Sequence, residues 1–192
     1  MKILIYDCEI ANAIANKDDR IIPNIRYCKG FHDFAGMGIA CVTAYDYHMD
    51  QYRVFFNDNL ADFDALQEES SLIVGFNNRR FDDKLMAANG VEIDPDKSWD
   101  IYEAIEHVSG QKMRKGRKLD DVTHVNLKLR KSGGGAAAPI LWQQNKQGQV
   151  VDYGLTDTWL TKRVLDLIIE TGGLIDPASG KRLDIAIPDL NA

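Results

Sequence analysis

The sequence is short of the features that would place it outside the cell or in a membrane. Its three cysteines, Cys8, Cys28 and Cys41, are odd in number and widely spaced, and they build neither a disulfide framework nor a zinc pattern. Reduced thiols in ordinary packing are expected. Cys28 and His32 stand four residues apart, but no second matched pair lies nearby to complete a zinc site. Long hydrophobic runs are missing too. The opening MKILIYDCEI has one lysine and a few apolar or aromatic residues before Asp7 interrupts, so neither a signal-peptide core nor a membrane span is expected, and the cytoplasm is the expected compartment. A basic coat is also lacking, with 23 Lys and Arg against 29 Asp and Glu and a formal net charge of -6. No internal repeat, coiled coil or long low-complexity tract is found, which sets aside solenoids and fibres.

A chain of 192 residues with 45% hydrophobic content can bury one sizeable core, and a single domain over residues 1–192 is expected. Its charge is unevenly spread. The segment from Gln111 to Lys131 holds eight Lys or Arg and two Asp, so an acidic body bears one basic stripe. Lys112, Arg114, Lys115, Arg117 and Lys118 read either as a solvated helix face with its loop or as a surface that tracks phosphates. Taken alone, the charge run favours the solvated face.

Apolar runs at Lys2 to Cys8, Gly36 to Tyr47 and Gln51 to Phe56 predict strands, the last two joined as a hairpin across His48, Met49 and Asp50. Ser71 to Gly75 has the continuous apolar character of a central strand. Between the first strand and the hairpin, Ala11 to Ala35 is rich in Asn, Asp and Lys with Pro23 and Gly30 as breakers, and predicts an irregular surface excursion. Helices are expected over Leu60 to Glu69, from about Arg80 to Asn89-Gly90, from a capping Asp100 to about His107, and along Leu119, Val122, Val125 and Leu129. SGGGAAAP, from Ser132 to Pro139, then predicts a mobile loop. A last amphipathic helix is expected from near Tyr153, with Leu160, Val164, Leu167 and Ile168 on one stripe and Gly172-Gly173 as its end. Strands first, followed by alternating strand and helix, imply an α/β fold with a sheet of mixed direction.

Three groups of carboxylates carry chemistry. Asp7 and Glu9 are two residues apart at the end of the first strand, so the period of two points both to one face. Acids so placed are either solvated loop residues or a repelling pair that needs a divalent cation with oxygen ligands. The second group, Gly75-Phe76-Asn77-Asn78-Arg79-Arg80-Phe81-Asp82, follows the central strand and opens a helix whose Leu85 and Met86 put Asp82 on the inward stripe. Asp82 is then either a charge favoured by the helix dipole or a ligand. The third, Tyr153-Gly154-Leu155-Thr156-Asp157, sets a phenol and a carboxylate four apart, with Asp157 three before Leu160 on the core-facing stripe. The first turn of a helix welcomes such an acid, but that alone leaves the direction shared by Asp157 and the aliphatics unexplained.

In this order the motifs Asp7-x-Glu9, Asn77-x-x-x-Phe81-Asp82 and Tyr153-x-x-x-Asp157 resemble the three exonuclease motifs of the tyrosine branch of the DEDD exonucleases, within the RNase H-like superfamily. That branch includes the proofreading domains of DNA polymerases and several RNA-trimming enzymes. The histidine branch would place His five residues before the last Asp, where this chain has Asp152. The resemblance implies an α/β fold with a mixed five-stranded sheet flanked by helices. It also implies hydrolysis of phosphodiester bonds from a 3′ end with release of nucleoside 5′-monophosphates. Two Mg2+ or Mn2+ ions would be held by Asp7, Glu9, Asp82 and Asp157, with Asp7 between them, and Tyr153 would orient the attacking water. Phe76, Asn77 and Arg79 would border the terminal nucleotide, while Lys112, Arg114 and Lys115 would meet the phosphates of a longer strand. The expected partner is single-stranded DNA or RNA with a free 3′ end; no membrane is expected, and no protein partner is indicated. Two other functions fit the same residues: a nuclease-like module that binds nucleic acid without cutting, and an endonuclease. The first would be signalled by a missing acid, and none is missing; the Tyr-x-x-x-Asp arrangement favours an exonuclease over the second.

Overall fold

The computed structural model describes residues 2–15, 21–111, 116–131 and 135–188. Its elements in chain order are β1 (Ile3–Ile10), β2 (Ala13–Ile14), β3 (Tyr27–Cys28), α1 (Phe34–Met37), β4 (Ile39–Asp46), β5 (Gln51–Phe55), α2 (Leu60–Glu69), β6 (Leu72–Gly75), α3 (Asp82–Ala88), β7 (Ser98–Asp100), α4 (Ile101–Ser109), α5 (Leu119–Leu127), α6 (Ala138–Gln143), α7 (Gln147–Thr171), β8 (Gly173–Ile175) and β9 (Arg182–Asp184). Two short 3-10 turns, Asn78–Arg80 and Gly135–Ala137, precede α3 and α6.

The main sheet has five strands in the order β5-β4-β1-β6-β7. β4 pairs antiparallel with both β1 and β5, whereas β6 lies parallel to β1 and β7 parallel to β6, so the sheet is mixed as expected. Along β1, side chains alternate between the two faces. Ile3 and Ile5 pack with Leu160, Val164 and Ile168 of α7 and Ile101 and Ile105 of α4. Leu4, Tyr6 and Cys8 face the other way, against Phe63 of α2 and Leu85 and Met86 of α3. Helices therefore flank both faces. All three cysteines are buried as free thiols, and no helix among the described residues is long and apolar enough to cross a membrane.

Two parts of the chain are more ordered than their composition suggests. The described part of the excursion carries the small parallel pair β2 and β3 and the one-turn helix α1, whose start is capped by the Asp33 carboxylate accepting from the Gly36 amide at 3.0 Å. In the stretch expected as a mobile loop, Ser132 to Gly134 lie outside the described residues, but α6 begins at Ala138. Pro139 falls in its first turn, where a missing amide proton costs no helical hydrogen bond. α7 starts at Gln147, ahead of the expected start near Tyr153, and takes in Gly148, which is tolerated near a helix end.

A β8–β9 hairpin completes the described chain. It is tied to the residues before α5 by the buried Arg117 guanidinium, which donates to both Asp176 carboxylate oxygens at 2.7 and 2.6 Å.

Candidate active site

The site forms where β1 outruns its parallel neighbour. β6 pairs with β1 only from Ile3 to Ile5, in the register Ile3 to Leu72, Leu4 to Ile73 and Ile5 to Val74, and it ends at Gly75. The C-terminal half of β1 thus loses its partner on that side while β4 continues to pair with it on the other. In open α/β sheets ligand clefts sit at the carboxyl ends of strands where neighbours diverge. Asp7 and Glu9 extend the face begun by Ile3 and Ile5, so the apolar ladder that meets α7 becomes an acidic one at its end.

α7 brings the third acid to the same place. Asp157 lies three residues before Leu160 and seven before Val164, both fully buried against the sheet, and it is itself buried. Close approach of helix and sheet is possible because residue 154 is glycine. A Cβ there would lie 3.0 Å from Thr43 Cγ2, 3.1 Å from Thr43 Oγ1 and 3.5 Å from Glu9 Cγ. The helix is then pinned by the buried Thr43 and Thr158 hydroxyls, 2.8 Å apart. The result is that Asp7, Glu9 and Asp157 each place a carboxylate oxygen within 4.8 Å of the other two.

Asp82 reaches the cluster from the opposite side. It opens α3, and its Oδ1 accepts from the Cys8 amide at 3.0 Å, using the backbone donor that β6 left free. Its neighbour Asp83 accepts from Ser98 Oγ at 2.7 Å, from Asn78 Nδ2 at 3.1 Å and from the Tyr6 hydroxyl, which fixes the start of the helix. The left-handed backbone of Asn77 (φ 70) is held by its amide donating to Asp100 Oδ1 at 2.8 Å, and Asp100 also caps α4 through Tyr102 N.

The crowding of acids shows in their protonation. Burial first, and then the charges of Asp82, Asp157 and Glu9, push Asp7 well above the usual carboxylate range. Glu9 rises through burial and then through the charges of Asp157 and Asp82. Burial pushes Asp82 up to about 7, against the pull of the Cys8 amide. Asp157 is raised by burial and drawn back by Lys131 and the Tyr153 hydroxyl. Tyr153, pushed up to about 12 by burial and then by the Asp157 charge, stays a neutral phenol at physiological pH.

Lys131 is the site residue that sequence reasoning did not single out. It ion-pairs with Asp157 Oδ2, and its ammonium sits 5.6 Å from the centre of the Tyr153 ring. In the sequence it is merely the last member of a basic run, and nothing in that run marks it. One ammonium does not balance four carboxylates, and Asp157 Oδ1 is buried with no hydrogen-bond partner among the described residues. An all-oxygen set of this kind, in excess of the cations beside it among the described residues and with a buried oxygen left over, could hold a metal ion.

The four acids and Tyr153 border a cavity of about 650 Å³. Of the residues expected around a terminal nucleotide, Phe76 and Asn77 line it. Arg79 is not brought there: its guanidinium donates to the Pro95 carbonyl at 2.5 Å and approaches Glu103 at 3.8 Å. Lys112, Arg114 and Lys115 lie outside the described residues. Arg117, from the same stripe, is buried in its pair with Asp176 and is no surface contact.

No family model and no curated protein matches the sequence. Among solved structures, the family B DNA polymerase from the hyperthermophilic archaeon Pyrobaculum calidifontis superposes with a TM-score of 0.56 at 15% identity, over 95% of this chain and 26% of the polymerase. The likeness is one of fold. This chain thus spans about a quarter of the polymerase it matches, and its α/β arrangement of a mixed five-stranded sheet between helices is RNase H-like.

Proposed function

We propose that the protein is a divalent-metal-dependent 3′-5′ exonuclease acting on single-stranded nucleic acid. The observation that carries this reading is the meeting of Asp7, Glu9 and Asp157 oxygens within 4.8 Å at the open end of the sheet, with Asp82 beside them on the wall of a cavity. Support comes from the fold shared with part of a DNA polymerase, an enzyme that works on a nucleic-acid strand.

Asp7, Glu9 and Asp157 would hold one ion and Asp82, with Asp7, a second. When bound, such ions acidify water and offset the charge of a reacting phosphodiester. The chain's own residues do the rest. The neutral Tyr153 hydroxyl, beside Asp157, orients the attacking water by hydrogen bonding and does not act as its base, since a phenol titrating at about 12 holds its proton. A water oxygen bonds to phosphorus as the bond to the 3′ oxygen of the preceding nucleotide breaks; the water loses a proton and the departing oxygen gains one. The products are a nucleoside 5′-monophosphate and a strand shorter by one residue.

Incubation with magnesium and 5′-labelled DNA or RNA strands should give a ladder that shortens from the 3′ end, with mononucleotides released. Asp7→Asn and Asp157→Asn should each lower the rate about a hundredfold or more, because each deletes a ligand from a centre that contributes several kcal/mol. Internal cuts at early times would make the enzyme an endonuclease. Binding without any shortening would make it a silent module.

A further inference from the structure

The main sheet is open at β5, which pairs only with β4 and ends the order β5-β4-β1-β6-β7. An edge strand offers a row of amide and carbonyl groups to another chain unless proline, charge, shortness or a covering element blunts it. β7, at the opposite edge, has only three residues. β5 has five, Gln51-Tyr52-Arg53-Val54-Phe55, with no proline and one charge. That charge is turned away: the Arg53 guanidinium lies 5.2 Å from the centre of the Phe55 ring, and Phe55 packs on Phe63 of α2.

Alternation along β5 puts Tyr52 and Val54 on the α7 face of the sheet. The Tyr52 ring centre lies 4.8 Å from that of Tyr45, which packs with Leu160 and Val164, and Val54 joins Val150 and Val151. Tyr52 then meets Asp152, Leu155, Thr156 and Trp159 of α7 around a groove of about 470 Å³. This groove shares no lining residue with the cavity that holds the acids. Its rings are open, with Tyr52 41% exposed and Trp159 37%. Asp152 is exposed as well, and the ion pairs of α7 among the described residues, Lys131 with Asp157 and Lys162 with Asp166, leave it out. Arg163, exposed one turn beyond Trp159, adds a cation at the other end.

Two exposed rings and a free carboxylate beside the apolar Leu155 suit a Lys or Arg side chain, whose stem covers carbon surface while its charge meets the acid and the ring faces. We propose that β5 and this groove receive an extended, Lys- or Arg-bearing segment of another protein. The segment adds as a strand to the β5 edge and lays its cationic side chain along Tyr52 and Trp159 toward Asp152. Backbone pairing supplies affinity, and the groove selects the side chain. A second copy of this chain fits less well. Antiparallel pairing of two β5 strands about a two-fold axis turns their like faces the same way, so the copy presents Tyr52 and Val54 to the groove and no cation. The inference stands apart from the nuclease reading, because none of these residues borders the acidic cluster.

The test selects twelve-residue peptides from a random library displayed on phage, with the full chain as target, and measures the enriched peptides by fluorescence anisotropy. They should carry a Lys or Arg with apolar or β-branched residues two positions to either side. Binding should slow hydrogen exchange at the amides of β5. Asp152→Lys and Trp159→Ala should each weaken binding about tenfold or more, the usual loss at a central aromatic or charged contact. If Trp159→Ala fails to fold by circular dichroism, Trp159→Leu, which keeps apolar bulk without a ring, takes its place with the same expectation. Enriched peptides without a cation, equal binding by wild type and Asp152→Lys, or no enrichment at all would overturn the docking groove. A dimer in sedimentation that Trp159→Ala dissolves would give the edge to a second copy, and displacement of the peptides by single-stranded DNA would give it to nucleic acid; either result overturns the proposal.

Discussion

Two side chains near the acids have separable roles. Tyr153 supplies a hydroxyl to the cavity and a ring to packing, so Tyr153→Phe should cut the single-turnover rate about tenfold or more and leave substrate affinity almost unchanged. An equal loss in affinity would return the hydroxyl to a binding role. Lys131 is different, because its ammonium offsets Asp157 when no metal is present. Lys131→Met leaves the acid facing three others without its ion pair, and should lower metal-free stability by roughly 1–3 kcal/mol, as expected for an uncompensated buried polar group. Magnesium should then raise the melting temperature of Lys131→Met by more than it raises that of wild type. Equal metal-induced shifts would show that the ion pair is inconsequential for the cluster.

At the scale of elements, the seat of α7 on the sheet decides whether the acids meet. Gly154→Ala gains about 1 kcal/mol of helix propensity, yet the new methyl presses on Thr43 at 3.0 to 3.1 Å. Overpacking of this kind costs about 1–3 kcal/mol, so the two effects nearly offset in stability. Activity has no such offset, because any lift of α7 moves Tyr153 and Asp157 together. Gly154→Ala should therefore fold with a near-normal melt and, on the proposed function, lose about tenfold or more in cleavage rate, the usual penalty for misplacing reacting groups by a fraction of an ångström to an ångström. Thr43→Ser, which removes the crowding methyl but keeps a hydroxyl for Thr158, should restore part of that loss in the double variant. A separate fastening holds the β8–β9 hairpin. Asp176→Asn leaves the Arg117 guanidinium buried without its counter-ion and should destabilise the protein by about 3–5 kcal/mol in urea titrations, without affecting the residual activity of the folded fraction.

For the whole molecule, the acidic cluster makes stability depend on pH in a direction the usual salt-bridged carboxylate would not give. An acid whose folded value is raised binds its proton more tightly in the folded state, so stability falls as pH rises between the unfolded and folded values. For Asp82 the window runs from about 4 in the unfolded chain to about 7 in the folded one. Asp7 and Glu9 act in the same direction. Asp176 acts oppositely: its folded value, held at about 2 by Arg117, supplies stability that is lost as pH falls below the normal range. Metal-free protein should thus melt progressively lower from pH 5 to pH 8, roughly the upper part of this window and beyond, and Asp82→Asn should flatten the trend. On the proposed function, magnesium should reverse the loss most strongly at the alkaline end, since ions would bind the ionised cluster and stabilise the state they bind. A melt that rises with pH in the absence of metal would contradict the assigned protonation.

Much of this architecture was legible in the chain. The helix over Leu60–Glu69, the hairpin across residues 48–50 and the strand ending at Gly75 follow from local periodicity and turn residues, and the structure has them where the pattern puts them. The same holds for the direction of Asp7 and Glu9, because alternation along a strand is a local property, and for Asp157, because its stripe is marked by Leu160 and Val164. Tertiary structure decided the rest. Lys131 enters the site only because the chain after α5 returns to α7, Arg79 leaves it because Pro95 and Glu103 lie within its reach, and the excursion becomes a cavity wall because Gln143, more than a hundred residues away, clasps it. Periodicity encodes which face a residue shows; it is silent on which distant segment that face will meet, since that meeting is set by the packing of all the elements at once.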